Sequence, residues 1–344
     1  MISKGICNQI FRTFFIESVW KTVFLSVFVS FSSLASAEVD WVSVTLDNDL
    51  FVDSDNGYTN GLYVSLYDVG RHSNQLPSHD FWVSPLMWSM PQETIKGSIN
   101  AYMIGQTMST PSDISIADPI ENELPYSALL SLTNSYMTVS PDHADRVSTT
   151  IGIVGPAALG EEAQKLVHGI IGADEPQGWD TQLHNELVFQ FSRARTWRSW
   201  VSGSGNYDLL TNADLSLGTI KSSLDTGMTV RYGKDLINSY ATTLFSNSRI
   251  SNPVTVEGGW FVYAGVKAGY IFNQIFTDGN TYRDSRSIDY DHEYVGLTAG
   301  FSYGWENVSL TFAINDANII QNGDKAEALD NLTQYGTLTF AWRM

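Results

Sequence analysis

Hydrophobic and polar residues alternate along most of this chain with a period of two. At its end, Gly336, Leu338, Phe340, Trp342 and Met344 share one parity, while Tyr335, Thr337, Thr339, Ala341 and Arg343 share the other. Successive side chains of a β-strand point to opposite faces, so this segment has one face suited to lipid and one suited to a polar lumen. The same texture recurs in blocks: WVSVTLDN, GLYVSLYDV, SINAYMIGQTM, YSALLSLTNSYMTV, RVSTTIGIV, HNELVFQFS, TGMTVRYG, GWFVYAGVKAGYIF, EYVGLTAGFSYGW, VSLTFAIN and TLTFAW. Turn residues such as Pro141-Asp142 and Glu306-Asn307 separate them. With further blocks of this texture, the pattern predicts an all-β fold, a transmembrane antiparallel barrel of about twelve strands, the even number that single-chain barrels use. Trp197, Trp200, Trp260, Trp305 and Trp342 fall near block ends, where a membrane interface would hold them. A soluble β-sandwich shares the alternation and is the competing architecture.

One stretch departs from period two. In AALGEEAQKLVHGIIG, Ala163, Leu166, Val167 and Ile170 fall on one helical stripe, and Gly172 supplies a stop. This predicts a short amphipathic helix at about 158–171, in an extracellular loop projecting from one rim, because lipid-exposed barrel wall cannot contain it.

Composition changes the picture in four ways. Lys4, Arg12 and Lys21 precede the apolar run TVFLSVFVSFSSL, which ends in Ala35-Ser36-Ala37, so residues 1–37 read as a cleavable secretory signal peptide and 38–344 as the barrel domain. The only cysteine, Cys7, lies in that leader, so the mature chain is expected to use no disulfide. Mean hydropathy of −0.10 has a soluble look, but alternation hides a barrel from any average. The formal charge is −18; removing the leader's net +2 leaves the mature chain near −20. Such acidity disfavours nucleic acid, whose phosphates need clustered Lys and Arg, and is compatible with divalent cations.

Three clusters hold candidate chemistry. The hairpin LDNDLFVDSDNGYTNGL carries Asp47, Asn48, Asp49, Asp53, Asp55 and Asn56, a density of oxygen ligands that suits calcium, although Asp and Asn are also ordinary turn residues. It is not an EF-hand loop, since no bidentate Glu follows at the required distance. His168 is a base on the one helix outside the barrel wall, with Gln164 one turn earlier. Asp174 and Glu175 follow that helix, and either carboxylate could orient the imidazole. There is no G-x-S-x-G elbow and no H-E-x-x-H motif.

Two segments, NDLFVDSDNGYTNGL and GIVGPAALGEEAQKLVHGIIGADEPQGWDTQLHNE, closely resemble the outer-membrane lipid A 3′-O-deacylase family. The resemblance implies a twelve-stranded barrel whose active site lies between the wall and a helix from an extracellular loop. It also implies calcium-dependent hydrolysis of the 3′-linked acyloxyacyl group of lipid A. Matched by motif, the family's Asn-Asp pair falls on Asn48 and Asp49, its tyrosine-threonine pair on Tyr58 and Thr59 ahead of Asn60 and Gly61, its helix histidine on His168 and its glutamine on Gln164. The family's acidic residue falls on Asp174, shorter than the Glu of some members, with Glu175 adjacent. The implied chemistry is water activated by His168, with calcium near Asp49, Thr59 and Asn48 stabilising the oxyanion. The expected setting is a monomer in the outer membrane, with lipopolysaccharide as substrate. A non-catalytic or porin-like barrel of the same fold, an outer-membrane phospholipase and a calcium-dependent glycan-binding sandwich are the alternatives.

Overall fold

The computed structural model describes residues 39–52, 58–70, 78–91, 95–239, 258–316 and 334–344. The predicted leader lies outside them, as do Asp53, Asp55 and Asn56 of the acidic hairpin. Twelve strands run in chain order: β1 (Trp41–Asn48), β2 (Tyr58–Gly70), β3 (Gly97–Ser109), β4 (Ser127–Val139), β5 (His143–Val154), β6 (Glu186–Val201), β7 (Tyr207–Gly218), β8 (Lys221–Lys234), β9 (Trp260–Gln274), β10 (Glu293–Trp305), β11 (Val308–Asp316) and β12 (Tyr335–Arg343). Each pairs antiparallel with the next, and β12 closes on β1 from Trp41↔Arg343 to Asn48↔Gly336. Closure removes the sheet edges that would otherwise expose unpaired backbone to lipid.

The alternation sorts the two faces as predicted. Trp41, Ser43, Thr45 and Asp47 of β1 are buried and point inward, while Val42, Val44 and Leu46 point outward. Around the wall, Leu224, Met228 and Val230 of β8, Val262 and Val266 of β9, and Leu297 and Phe301 of β10 are exposed. Inside, hydroxyls tie neighbouring strands, with Thr45 to Thr339 at 2.9 Å, Ser135 to Ser148 at 2.8 Å and Ser192 to Ser216 at 2.9 Å. The segment that the quoted blocks omit is β7. Its inward positions include Asp208 and Asp214, which raise its polarity and blur the pattern.

Those acids are paired. Asp214 accepts from Arg146 Nη2 at 2.7 Å; Asp208 accepts from Arg231 Nη2 at 2.7 Å and from Arg198 Nε at 2.9 Å. Asp225 accepts from Tyr294 and, at 2.9 Å, from Ser223. The lumen wall is thus lined by paired charges and hydrogen bonds between nearby strands, as burial of ionic groups requires.

Trp41 and Arg343 are partners, so both ends of the barrel sequence sit at one rim, here the terminal rim. The tight turns Ser140–Asp142 and Glu306–Asn307 are also there, whereas the long connection 155–185 is at the opposite, distal rim. All five tryptophans singled out from sequence lie toward the terminal rim, and neighbours extend them into a belt: Tyr207 with Tyr232 at 4.5 Å, Tyr232 with Trp260 at 5.6 Å, Tyr303 with Trp305 at 4.6 Å.

Across β3–β6 the outward face near that rim is polar, and residues 78–91 lie over it. Asp80 accepts from Tyr102, Trp82 O accepts from Thr149 Oγ1 at 2.8 Å, and Ser89 O accepts from Arg193 Nη2 at 3.3 Å. Val83 and Met90 bury against Tyr136 and Val147. Phe81 and Trp88 remain exposed on this cover, continuing the aromatic belt where the strands themselves do not supply it.

The loop helix spans Gly160–Ile171, starting two residues later than the sequence predicts and ending where it predicts. Pro156–Ala158 forms a separate 3-10 turn, and Leu159 follows with φ 61°, a left-handed conformation that no α-helix can include.

Candidate active site

The helix does not cap the lumen; it lies against the outer face of the wall at the distal rim. Met108 of β3 and Ala128 of β4 are register partners on the outward parity, and both pack with Ala158, Trp179 and Tyr126. Gln106, also outward, donates from Nε2 to Ala158 O at 2.6 Å and holds the turn that leads into the helix. Gly160 permits the close approach, since a Cβ there would lie 2.4 Å from the Ala128 Cβ and 2.5 Å from the Trp179 ring. The face turned to the barrel therefore carries Gly160 and Gln164, the latter only 2% exposed. Of the predicted apolar stripe only Ala163 packs against this cluster; Leu166 and Ile170 are 66% and 76% exposed, with Val167 beside them. On the outside of a barrel, such a face meets lipid.

His168 sits in the last turn of the helix. Gly172 ends it at φ 74°, and the main-chain N–H groups of Gly172 and Ala173 both donate to His168 O, at 2.8 and 3.0 Å. This left-handed cap turns the chain back so that Asp174 O lies 2.6 Å from His168 Nδ1. A carbonyl oxygen can only accept, so Nδ1 carries the proton and Nε2 presents a lone pair. The oxygen that orients the ring is therefore the main chain of Asp174 rather than a carboxylate. Glu175 is engaged elsewhere: its Oε1 lies 3.2 Å from Lys165 Nζ, which also meets Glu161 Oε1 at 3.0 Å. Hydrogen bonds to these two carboxylates hold the Lys165 ammonium above its ordinary range.

The cap gives a direct test. Gly172→Ala meets nothing within 4 Å, so its only cost is the positive φ, about 1 kcal/mol. We expect a small loss of thermal stability and a larger loss of activity as the carbonyl shifts. Gly172→Asn, which tolerates this conformation, should retain both, as thermal unfolding and initial rates will check.

The hairpin residues reach the same rim by register. Asn48 pairs with Asn60, Asn60 with Met108, and Met108 with Ala128, forming a lateral row across β1–β4 on the outward parity. The row ends at the strand against which Gly160 packs, and β1 and β3 are two strand spacings apart, about 10 Å. Asn48 and Asn60 thus continue the lipid-facing parity of Val44, Leu46, Val64 and Leu62 as polar groups. Asp49 opens a 3-10 turn (Asp49–Val52) and is buried, while the Asp47 Oδ1 accepts from Thr337 Oγ1 at 2.7 Å inside the lumen. The ladder between β2 and β3 shifts register between Tyr58 and Asn60, so Thr59 is the bulged residue, and bulges beside active sites re-aim the chain. Among the described residues no three His, Cys, Asp or Glu side chains converge as a metal set.

Comparison with known proteins places this architecture. The sequence profile of the outer membrane protein LpxR family matches residues 23–344. The chain belongs to that family. It is accordingly an outer-membrane protein. LpxR from Salmonella typhimurium has a solved structure that superposes with TM-score 0.69 at 20% identity, covering 88% of this chain and 100% of that one, so the two share a fold. The β domain of the Bordetella autotransporter BrkA reaches only 0.40 at 9% identity, covering 89% and 98%. The KdgM porin reaches 0.36 at 6%, covering 88% and 99%. Neither of these two bears on function. No curated protein sequence gives a significant match.

Two residues of this site escape the sequence reading. Gln106 was legible in principle as a polar residue on the lipid-facing parity of β3. Trp179 carries no local signal, because only the packed loop reveals that its indole Nε1–H donates to Gln164 Oε1 at 2.8 Å.

Proposed function

We propose that this protein is a calcium-dependent hydrolase that removes the 3′-linked acyloxyacyl chain from lipid A at the outer face of its barrel. The observation that carries the reading is the tautomer of His168, locked at Nδ1 by the Asp174 carbonyl. An imidazole so held has Nε2 ready to take a proton, on a helix whose apolar side faces lipid. A substrate embedded in the outer leaflet can lay its acyl chains along Leu166, Val167 and Ile170 while its ester meets the polar row beneath.

In the reaction, Nε2 of His168 accepts a proton from water, and the oxygen attacks the ester carbonyl carbon. The ester C–O bond breaks, and His168 returns the proton to the departing 3′-oxygen of the sugar, leaving a 3′-hydroxyl and a free carboxylic acid. The Gln164 amide is a second polar group on the helix face that meets the wall, suited to donating a hydrogen bond to the carbonyl oxygen. The donor chemistry around Asp49 fits calcium, a hard cation that takes carboxylate, amide, hydroxyl and main-chain oxygens together. Asp49, with Asn48 and Thr59, would hold it, and when bound it supplies positive charge where the oxyanion develops.

Mass spectrometry of lipid A from cells expressing the chain tests the activity, with loss of one 3′-linked acyloxyacyl group expected. Purified protein should lose this activity in a chelator and regain it with calcium. A rate indifferent to chelation would remove the metal from the mechanism.

A further inference from the structure

We propose that Trp179 is a positioning residue that fixes the amide of Gln164 with its N–H₂ group toward the reacting ester. The inference rests on the role given to Gln164 above.

The indole Nε1–H can only donate, and it lies 2.8 Å from the Gln164 amide, so the atom facing it must be Oε1. This settles the orientation of an amide that would otherwise have two equivalent settings. The Nε2 end is then turned away from the tryptophan. It is buried and has no acceptor among the described residues. A buried donor pair without a partner is unusual, and it stands one turn before His168 on the helix face that meets the wall. An ester carbonyl arriving from the lipid side would supply the missing acceptor.

Trp179 is itself immobilised. It is 2% exposed, its ring sits 5.1 Å from that of Tyr126, and Gly160 leaves room for it beneath the helix. The 3-10 turn Trp179–Thr181 that carries it is closed by Thr181 N donating to Gly178 O at 3.0 Å. Gly178 lies against Tyr126 so closely that a Cβ would fall 2.2 Å from the Tyr126 ring. Glycine at 160 and 178 therefore lets two rings pack at a tilt under the helix, and that packing aims one hydrogen bond.

The test uses the full-length protein in detergent with lipid A as substrate. Trp179→Phe keeps the aromatic packing and removes only the N–H. It should leave the barrel heat-modifiable and KM within about twofold, while kcat falls by roughly ten- to a hundredfold. Gln164→Ala should lower kcat by about a hundredfold, and adding Trp179→Phe to it should cost nothing more. A Trp179→Phe loss that persists undiminished in the Gln164→Ala background, or no loss at all, overturns the proposal.

A readout independent of turnover separates this idea from the reading beneath it. The indole N–H resonance, assigned by its disappearance in Trp179→Phe, should shift in Gln164→Ala and stay near its place in Gln164→Glu, which retains an acceptor. An unmoved resonance in Gln164→Ala would refute the contact whatever the rates. Wild-type kcat in Gln164→Glu, with the resonance in place, would instead refute the donor role of Gln164.

Discussion

Replacing His168 with alanine is expected to lower lipid A deacylation by about 10²- to 10⁴-fold, the range that a general base contributes, while leaving the barrel intact. The two halves of that expectation have separate grounds. The side chain lies in the last turn of a helix on the outside of the wall and hydrogen-bonds a local carbonyl, so strand pairing does not depend on it. Its loss removes the lone pair that accepts the water proton. His168→Asn is a useful companion, because a side-chain amide can still donate to Asp174 O yet offers no base. Both variants should run as heat-modifiable barrels, and both should leave the lipid A mass spectrum unmodified. Spectra that match those of the wild-type chain would end the proposed chemistry.

The second large effect concerns stability. Asp208→Ala should destabilise the barrel by about 3–5 kcal/mol, because it breaks a buried ionic cluster from one side only. Asp208 is fully buried and accepts from Arg231 Nε at 2.9 Å, from Arg231 Nη2 at 2.7 Å and from Arg198 Nε at 2.9 Å. Arg231 also donates to Ser239 Oγ at 3.0 Å and to Leu236 O at 2.9 Å, so the cluster ties the start of the β8–β9 connection into the lumen. Removing the carboxylate would leave two guanidinium groups facing each other inside the barrel. Asp208→Asn keeps the shape and part of the hydrogen bonding and should cost less. Denaturant unfolding in detergent measures both, and a wild-type midpoint for the alanine variant would contradict the assignment. Asp208 opens β7 near the terminal rim, far from the helix, so deacylation by the folded fraction should persist.

The barrel was legible because every strand repeats one physical demand, lipid on one side and polar lumen on the other. That demand writes a period of two into the sequence, and eleven of the twelve strands carry it as a quoted block. It failed to flag β7, where Asp208 and Asp214 answer to arginines on other strands and not to the local pattern. Helix existence was equally local, since an apolar stripe and a following glycine suffice. Its first residue was not, because Leu159 adopts a left-handed conformation that a leucine gives no local sign of.

The site divides along the same line. Sequence alone supplied the candidates, namely an imidazole on a helix outside the wall and an acidic hairpin at the end of β1, because residue types and short spacings are properties of the chain. Only the tertiary structure decided that the helix lies outside the barrel, that strand register carries Asn48 toward it, and that a main-chain carbonyl and an indole set the orientations of His168 and Gln164. Those contacts depend on where the backbone turns back at Gly172 and how closely Gly160 lets two elements approach. Such distances arise from packing, and no periodicity records them.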